Sequence, residues 1–139
     1  MRFVLDNTVT MAWCFQDEAT AYTDTLLTRL SNLIDSALVP SLWLYEVVNV
    51  IGLATRKQRI TEPEANSFLD NLADLPIDVE PPIRRRLFSS VRKVAAQYKL
   101  TAYDAAYLEL ALRHQLPLAA LDNALTTAAE AAGVELVKV

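Results

Sequence analysis

The sequence predicts an α/β fold, a three-layer α/β/α sandwich built on a central parallel sheet, as a single domain over residues 1–139. Three observations lead there. Short strand-like segments alternate with helical ones along the whole chain. The strand-like segments are apolar throughout rather than alternating, as strands are when helices cover both faces of a sheet. A length of 139 residues suits one domain with one core, and no linker, repeat or low-complexity tract divides it.

Each element has a local reason. "RFVL" (2–5) is a short apolar run halted by Asp6 and reads as a buried strand. Residues 19–34 carry apolar positions near a 3.6-residue period and predict a helix. "ALVP" (37–40) is a strand ended by proline. Residues 41–58 form a helix for which Ser41 is a fair N-cap, and residues 61–75 another, with Thr61 as cap and Pro63 in the first turn. "IDVE" (77–80) is a strand, 81–99 a helix with proline at its start, and 101–115 a helix. "PLAAL" (117–121) is a strand, 123–132 a helix stopped by Gly133, and 134–139 a last strand. Right-handed crossovers then set the C-terminal strand ends along one edge, where ligands of such sheets bind.

Composition narrows the function classes. Apolar residues make up 53 % of the chain against 22 % charged, an excess that asks for a rich core and an oligomer face. The single cysteine, Cys14, excludes an internal disulfide and accords with a reducing cytoplasm. The N-terminal apolar run is too short for a signal peptide. The most apolar window, 37–54, contains Pro40, Ser41, Glu46 and Asn49, which a lipid-spanning segment rarely carries, so a soluble cytoplasmic protein is expected. A net charge of -4 argues against coating nucleic acid by charge alone. Basic clusters at Arg56, Lys57 and Arg59, and at Arg84, Arg85 and Arg86 with Arg92 and Lys93, read first as solvated helix faces.

The acids are more pointed. Asp6 follows the first strand and Asp122 follows "PLAAL", so both belong at the C-terminal edge. Asp104 lies in the first turn of the helix that opens at Thr101, and Glu46 about one and a half turns into the helix that opens at Ser41. Asp6, Asp104 and Asp122 each have a capping explanation. Glu46 does not, because Tyr45, Val47, Val48 and Val50 surround it, and a carboxylate in a core needs a partner. Carboxylates converging on one point repel and raise one another's pKa, and a bound cation removes that cost. The donors are oxygens, with the only histidine, His114, at the far end of its helix. Such a set selects Mg²⁺ or Mn²⁺ over zinc, and metal-assisted phosphodiester hydrolysis is the chemistry that follows. Thr8, Asn49 and Thr101 would brace the ligands or touch phosphate.

These residues resemble the PIN-domain ribonucleases, and within them the VapC-type toxins of type II toxin–antitoxin systems. "FVLDNTV" is similar to the family's opening strand and first acid, "PSLWLYEVVNV" to its second-acid helix, "LTAYDAAYLELA" to the segment bearing the third acid with Thr101 ahead of it, and "PLAALDNALTTAAEAAGVELV" to its closing strand–acid–helix–strand. One departure is Ala120, where the family often has threonine two residues before the last acid. The resemblance implies a Mg²⁺-dependent endoribonuclease with Asp6, Glu46, Asp104 and Asp122 at its centre. It also implies a toxin that cuts RNA, homodimerises and is neutralised by a cognate antitoxin. Arg56, Arg84, Arg85 and Arg86 are then candidates to hold the RNA backbone. Two other readings compete. A catalytically inactive module on the same fold would only bind RNA or antitoxin. A phospho-receiver signalling domain would need paired acids after the first strand and an aspartate ending a middle one, and neither is present.

Overall fold

The apolar run Arg2–Leu5 forms β1, and Phe3, Val4 and Leu5 are fully buried, as expected of a central strand covered on both faces. The structure, a computed structural model, describes all residues from Met1 to Val139. β1 is flanked by β2 (Ser36–Pro40) and β4 (Leu118–Ala119), and β3 (Ile77–Glu80) pairs with the far side of β2, giving the order β3-β2-β1-β4. Every pairing is parallel, with Val4 opposite both Leu38 and Leu118, and Val39 opposite Val79. All four C-terminal strand ends therefore point the same way, as the crossover argument requires.

All helices but the first fall where the sequence puts them, with shorter bounds. α1 is Asn7–Cys14, α2 Ala21–Ser31, α3 Leu42–Arg56 and α4 Glu62–Ala73. α5 (Arg84–Arg86) runs through a π-helical stretch, Leu87–Val91, into α6 (Arg92–Tyr98), followed by α7 (Ala102–His114) and α8 (Asn123–Ala131). One core of buried residues joins the sheet to these helices, through Leu26 and Leu30 of α2, Trp43, Val47 and Ile51 of α3, and Tyr107 and Leu108 of α7. Thr61 caps α4 as expected, and Glu64 reaches back to the Thr61 amide to complete a capping box.

Several expectations need correction. Ser41 caps nothing: its backbone is already helical and its hydroxyl bonds no amide of α3. The helix expected to start at residue 81 starts at Arg84, because Pro81 and Pro82 hold the chain extended. The strand expected over 117–121 shrinks to Leu118–Ala119, and that over 134–139 to a single bridge between Leu136 and Leu118. The capping explanation of Asp6, by contrast, holds: it opens α1, and a short 3-10 turn follows at Gln16–Glu18. With two glycines in the chain, helices end instead on left-handed Leu33, Gln58, Lys99 and Gln115, and only the turn after α8 uses Gly133, at φ 78°.

Candidate active site

Asp6 stands where β1 ends and α1 begins. It is the N-cap of α1: its Oδ2 accepts the Thr8 amide at 3.3 Å and the Thr8 hydroxyl at 2.5 Å. The Thr8 hydroxyl oxygen in turn accepts the Leu121 amide at 3.0 Å, which ties the β1–α1 turn to the β4–α8 turn and so to Asp122. Asp122 caps α8 through Leu125 N at 2.9 Å. Asp104 is the third residue of α7. Thr101 caps that helix by accepting the Asp104 amide at 3.1 Å, and the Asp104 carboxylate itself makes no hydrogen bond to the protein. Glu46, on α3, accepts the hydroxyl of Tyr107, which lies three residues beyond Asp104 on the same face of α7.

The electrostatics join these groups. Burial is the largest influence on Asp6, Glu46 and Asp104, and it pushes each carboxyl above its ordinary range. The charges then act on one another: Asp122 raises Asp6, Asp6 and Asp104 raise Glu46, and Asp122 and Asp6 raise Asp104, which reaches about 6. The Thr8 bonds and the Tyr107 bond oppose the shift at Asp6 and Glu46. No Lys or Arg pairs with any of the four acids.

The other acidic sites are built differently. Asp35, 3 % exposed, accepts Arg29 Nε at 2.7 Å, Arg29 Nη2 at 3.0 Å and the N-terminal amine at 2.9 Å, and the guanidinium leads in holding it below its ordinary value. Buried Glu109 and partly buried Glu80 share Arg113, which lowers Glu80 to about 2. Asp6, 4 % exposed, is as deeply buried as Asp35 and has no cation.

A hard cation suits this donor set. The acids offer only oxygen, and Asn7 Oδ1, buried beside Asp6, has no hydrogen-bond partner. No three Asp, Glu, His or Cys side chains stand close enough together to form a ready metal cluster. The set is thus drawn together without being closed into a cage. Mg²⁺, which binds through one or two carboxylates and keeps several waters, does not need a cage.

The remaining expected residues divide. Thr8 is in the site and steers Asp6. Thr101 serves as a helix cap. Asn49 is exposed on α3 and bonds to nothing. Arg56, Arg84 and Arg85 are exposed, while Arg86 approaches Glu80 at 3.8 Å and lines a separate apolar cleft of about 500 Å³ between α3, α5 and α7. Tyr107 was missed. Its signal was a tyrosine inside an otherwise Ala- and Leu-rich buried stretch, since a buried phenol needs an acceptor. The expectation that Glu46 lacks any partner within the chain is corrected by that hydroxyl.

The architecture recurs in solved structures. PAE2754 from Pyrobaculum aerophilum aligns with a TM-score of 0.68 at 22 % identity over 92 % of this chain and 79 % of that one. VapBC2 from Rickettsia felis, solved bound to a DNA fragment from its promoter, gives 0.66 at 13 % identity over 99 % and 98 %. FitAcB from Neisseria gonorrhoeae gives 0.61 at 15 % identity over 99 % and 97 %. At these identities the likeness speaks for the fold alone. No curated protein sequence matches the chain. The PIN domain family model matches residues 3–131, a span that takes in Asp6, Glu46, Asp104 and Asp122 together, and the chain belongs to the PIN-domain family.

Proposed function

We propose that the protein is a Mg²⁺-dependent endoribonuclease, with Mn²⁺ as the other candidate ion, acting as the toxin of a toxin–antitoxin pair. One observation carries the nuclease reading: no Lys or Arg pairs with Asp6, Glu46, Asp104 or Asp122, although burial first, and then the charges of neighbouring acids of this set, hold Asp6, Glu46 and Asp104 above their ordinary pKa. That is a costly arrangement for a fold that elsewhere gives its buried acids arginines, and it is the arrangement a cation-binding site requires.

In this reading Asp6, Glu46 and Asp104 hold the ion, with Asp122 as the fourth acid. When bound, such an ion neutralises charge on the scissile phosphate and makes a water nucleophilic near neutral pH. The chain supplies orientation. The Thr8 hydroxyl fixes which Asp6 lone pairs remain free, and the Tyr107 hydroxyl does the same for Glu46. Asp104 carries no internal bond and is free to turn toward a ligand.

RNA as substrate and neutralisation by an antitoxin rest on the family resemblance, and the toxin–antitoxin names of two structural neighbours support the partner; a cytoplasmic setting rests on the single cysteine and on the polar residues within the most apolar window. No helix is long and apolar enough to cross a membrane. Homodimerisation gains support from α3, which exposes Leu44, Tyr45 and Val48, and from the cleft that Tyr45 lines together with exposed Ile83, Leu87 and Phe88, apolar surface of the kind that marks an interface.

The test is cleavage of RNA by the purified protein with Mg²⁺ and with EDTA. Asp6→Asn and Asp104→Asn should each slow cleavage by about 100-fold or more while leaving the fold intact. Either variant cutting as fast as wild type would end this mechanism. Tight RNA binding that survives chelation, with no RNA cut, would favour the inactive binding module instead.

A further inference from the structure

A guanidinium outside the acidic set faces the same turns. Beyond α3, Gln58 adopts a left-handed conformation at φ 58°, and the Arg59 amide donates to Ala54 O at 2.8 Å. This closure folds residue 59 back over α1. The Arg59 Cζ sits 3.7 Å from the centroid of the buried Phe15 ring. One nitrogen, Nη2, makes all of its side-chain hydrogen bonds, to both Asp17 oxygens and to Glu18 Oε2, each at 2.9 Å. Nε and Nη1, which carry three of the five guanidinium N–H groups, donate to no protein acceptor.

Arg59 lines a cavity of about 410 Å³ with Asn7, Thr8, Leu121 and Asp122. It therefore shares a wall with the hydroxyl that steers Asp6, with the orphan acceptor's residue and with the fourth acid. Arg56, Arg84, Arg85 and Arg86, the arginines that sequence reasoning favoured, do not line this cavity.

We propose that Arg59 binds a backbone phosphate of the RNA next to the one that is cleaved, and so sets the substrate's register on the acids. The inference rests on the nuclease reading above. A guanidinium is suited to phosphate oxygens by charge and by its fixed donors. Phe15 and the two carboxylates orient it through one nitrogen and leave the other two for a ligand. Both of those carboxylates are solvent-exposed, and exposed pairs are weak and screened, so they aim the side chain without consuming it.

The test uses the full-length protein and a short fluorescent single-stranded RNA that the wild type cuts. Binding is followed by anisotropy in EDTA across a KCl series, and cleavage by steady-state kinetics with Mg²⁺. Arg59→Gln should weaken binding about tenfold, reduce the slope of log K against log[KCl] by about 0.7, and raise KM with little change in kcat. Arg59→Lys should keep the wild-type slope, because it keeps the charge. A merely structural role for Arg59 would leave the slope of the folded protein unchanged, and that result overturns the proposal. If Arg59→Gln does not fold, the lysine variant decides by affinity: binding several-fold weaker at an unchanged slope supports the proposal, because lysine keeps the charge and loses the forked donors, and wild-type affinity and KM overturn it. Wild type that cuts no RNA removes the reading beneath this inference. Wild type that cuts, with Arg59→Gln matching it in KM and slope, removes this inference alone.

Discussion

Replacing Tyr107 with phenylalanine isolates the contact that makes Glu46 tolerable. The ring of Tyr107 is fully buried in the core and phenylalanine fills the same space, so no cavity opens. What is lost is one hydrogen bond to a carboxylate. Bonds to charged groups contribute about 1.5–3 kcal/mol, and Glu46 is only partly buried and can regain water, so the expected cost lies near the lower end, about 1.5 kcal/mol. For a domain of this size that is a fall in Tm of roughly 5 °C. The pH dependence carries the diagnosis. Glu46 is raised by burial first, then by Asp6 and Asp104, and the Tyr107 bond is the one influence that lowers it. Without that bond its folded pKa rises further above the ordinary 4.5. The folded state then binds the proton more tightly than the unfolded chain over a wider window, so stability falls as pH rises through it. The deficit of the variant should therefore be larger at pH 8 than at pH 5 when measured by thermal unfolding in EDTA. Titration with Mg²⁺ should show affinity reduced about 10–100-fold, as when a group that orients a ligand is removed. A deficit equal at both pH values, together with unchanged Mg²⁺ affinity, would reduce Tyr107 to a core residue and refute the reasoning.

Three further outcomes follow from the structure. Asp104 rises from 3.8 to about 6, led by burial. Between those values the folded state holds a proton that the unfolded chain has lost, so metal-free protein should lose stability as pH rises across this window, and Asp104→Asn should flatten that slope. Mg²⁺ must displace the same proton, so cleavage should climb about tenfold per pH unit below about 6 and level off above it; a rate independent of pH across that range would contradict the role of Asp104. On the outer face, Tyr45 and Phe88 are 79 % and 73 % exposed. Tyr45→Glu with Phe88→Glu should convert a dimer into a 15.5 kDa monomer in sedimentation, and a wild type that is already monomeric removes that interface.

The parts of the fold legible in the sequence are those set by local rules. The Thr61 cap, the apolar strands near 2–5 and 37–40, and the long periodic helices are written in adjacent residues, and the structure has them. Where tertiary partners decide, local reading fell short. β4 and the tail after Gly133 carry strand-like composition, yet the tail pairs only through Leu136. "NTVTMAWC" mixes β-branched and aromatic residues of modest helix propensity, and forms α1 because Asp6 caps it and Val9 and Met11 bury their side chains. The cap that local reading offered as an innocent use of Asp6 is therefore real, and it coexists with the acidic site. Glu46 and Tyr107 lie 61 positions apart, so periodicity on either helix could not announce their bond.

Capping and site-building are compatible in Asp6 because a cap spends only part of a carboxylate. The Thr8 amide and hydroxyl both donate to Oδ2, and no side-chain bond is made to Oδ1. The same economy holds at Asp122, where Oδ1 takes the Leu125 amide, and at Glu46, where Oε1 takes Tyr107. Each acid is thus anchored through one oxygen and left with the other. Asp35 is the counterexample that gives this weight, since both of its oxygens are taken by cationic donors and its pKa falls. Burial alone does not separate the two kinds of acid, and neither does sequence position at a strand or helix end. The separation lies in whether the second oxygen is consumed within the chain. By that criterion Asp6, Glu46 and Asp122 keep acceptor capacity for an external cation, and Asp104 keeps both oxygens.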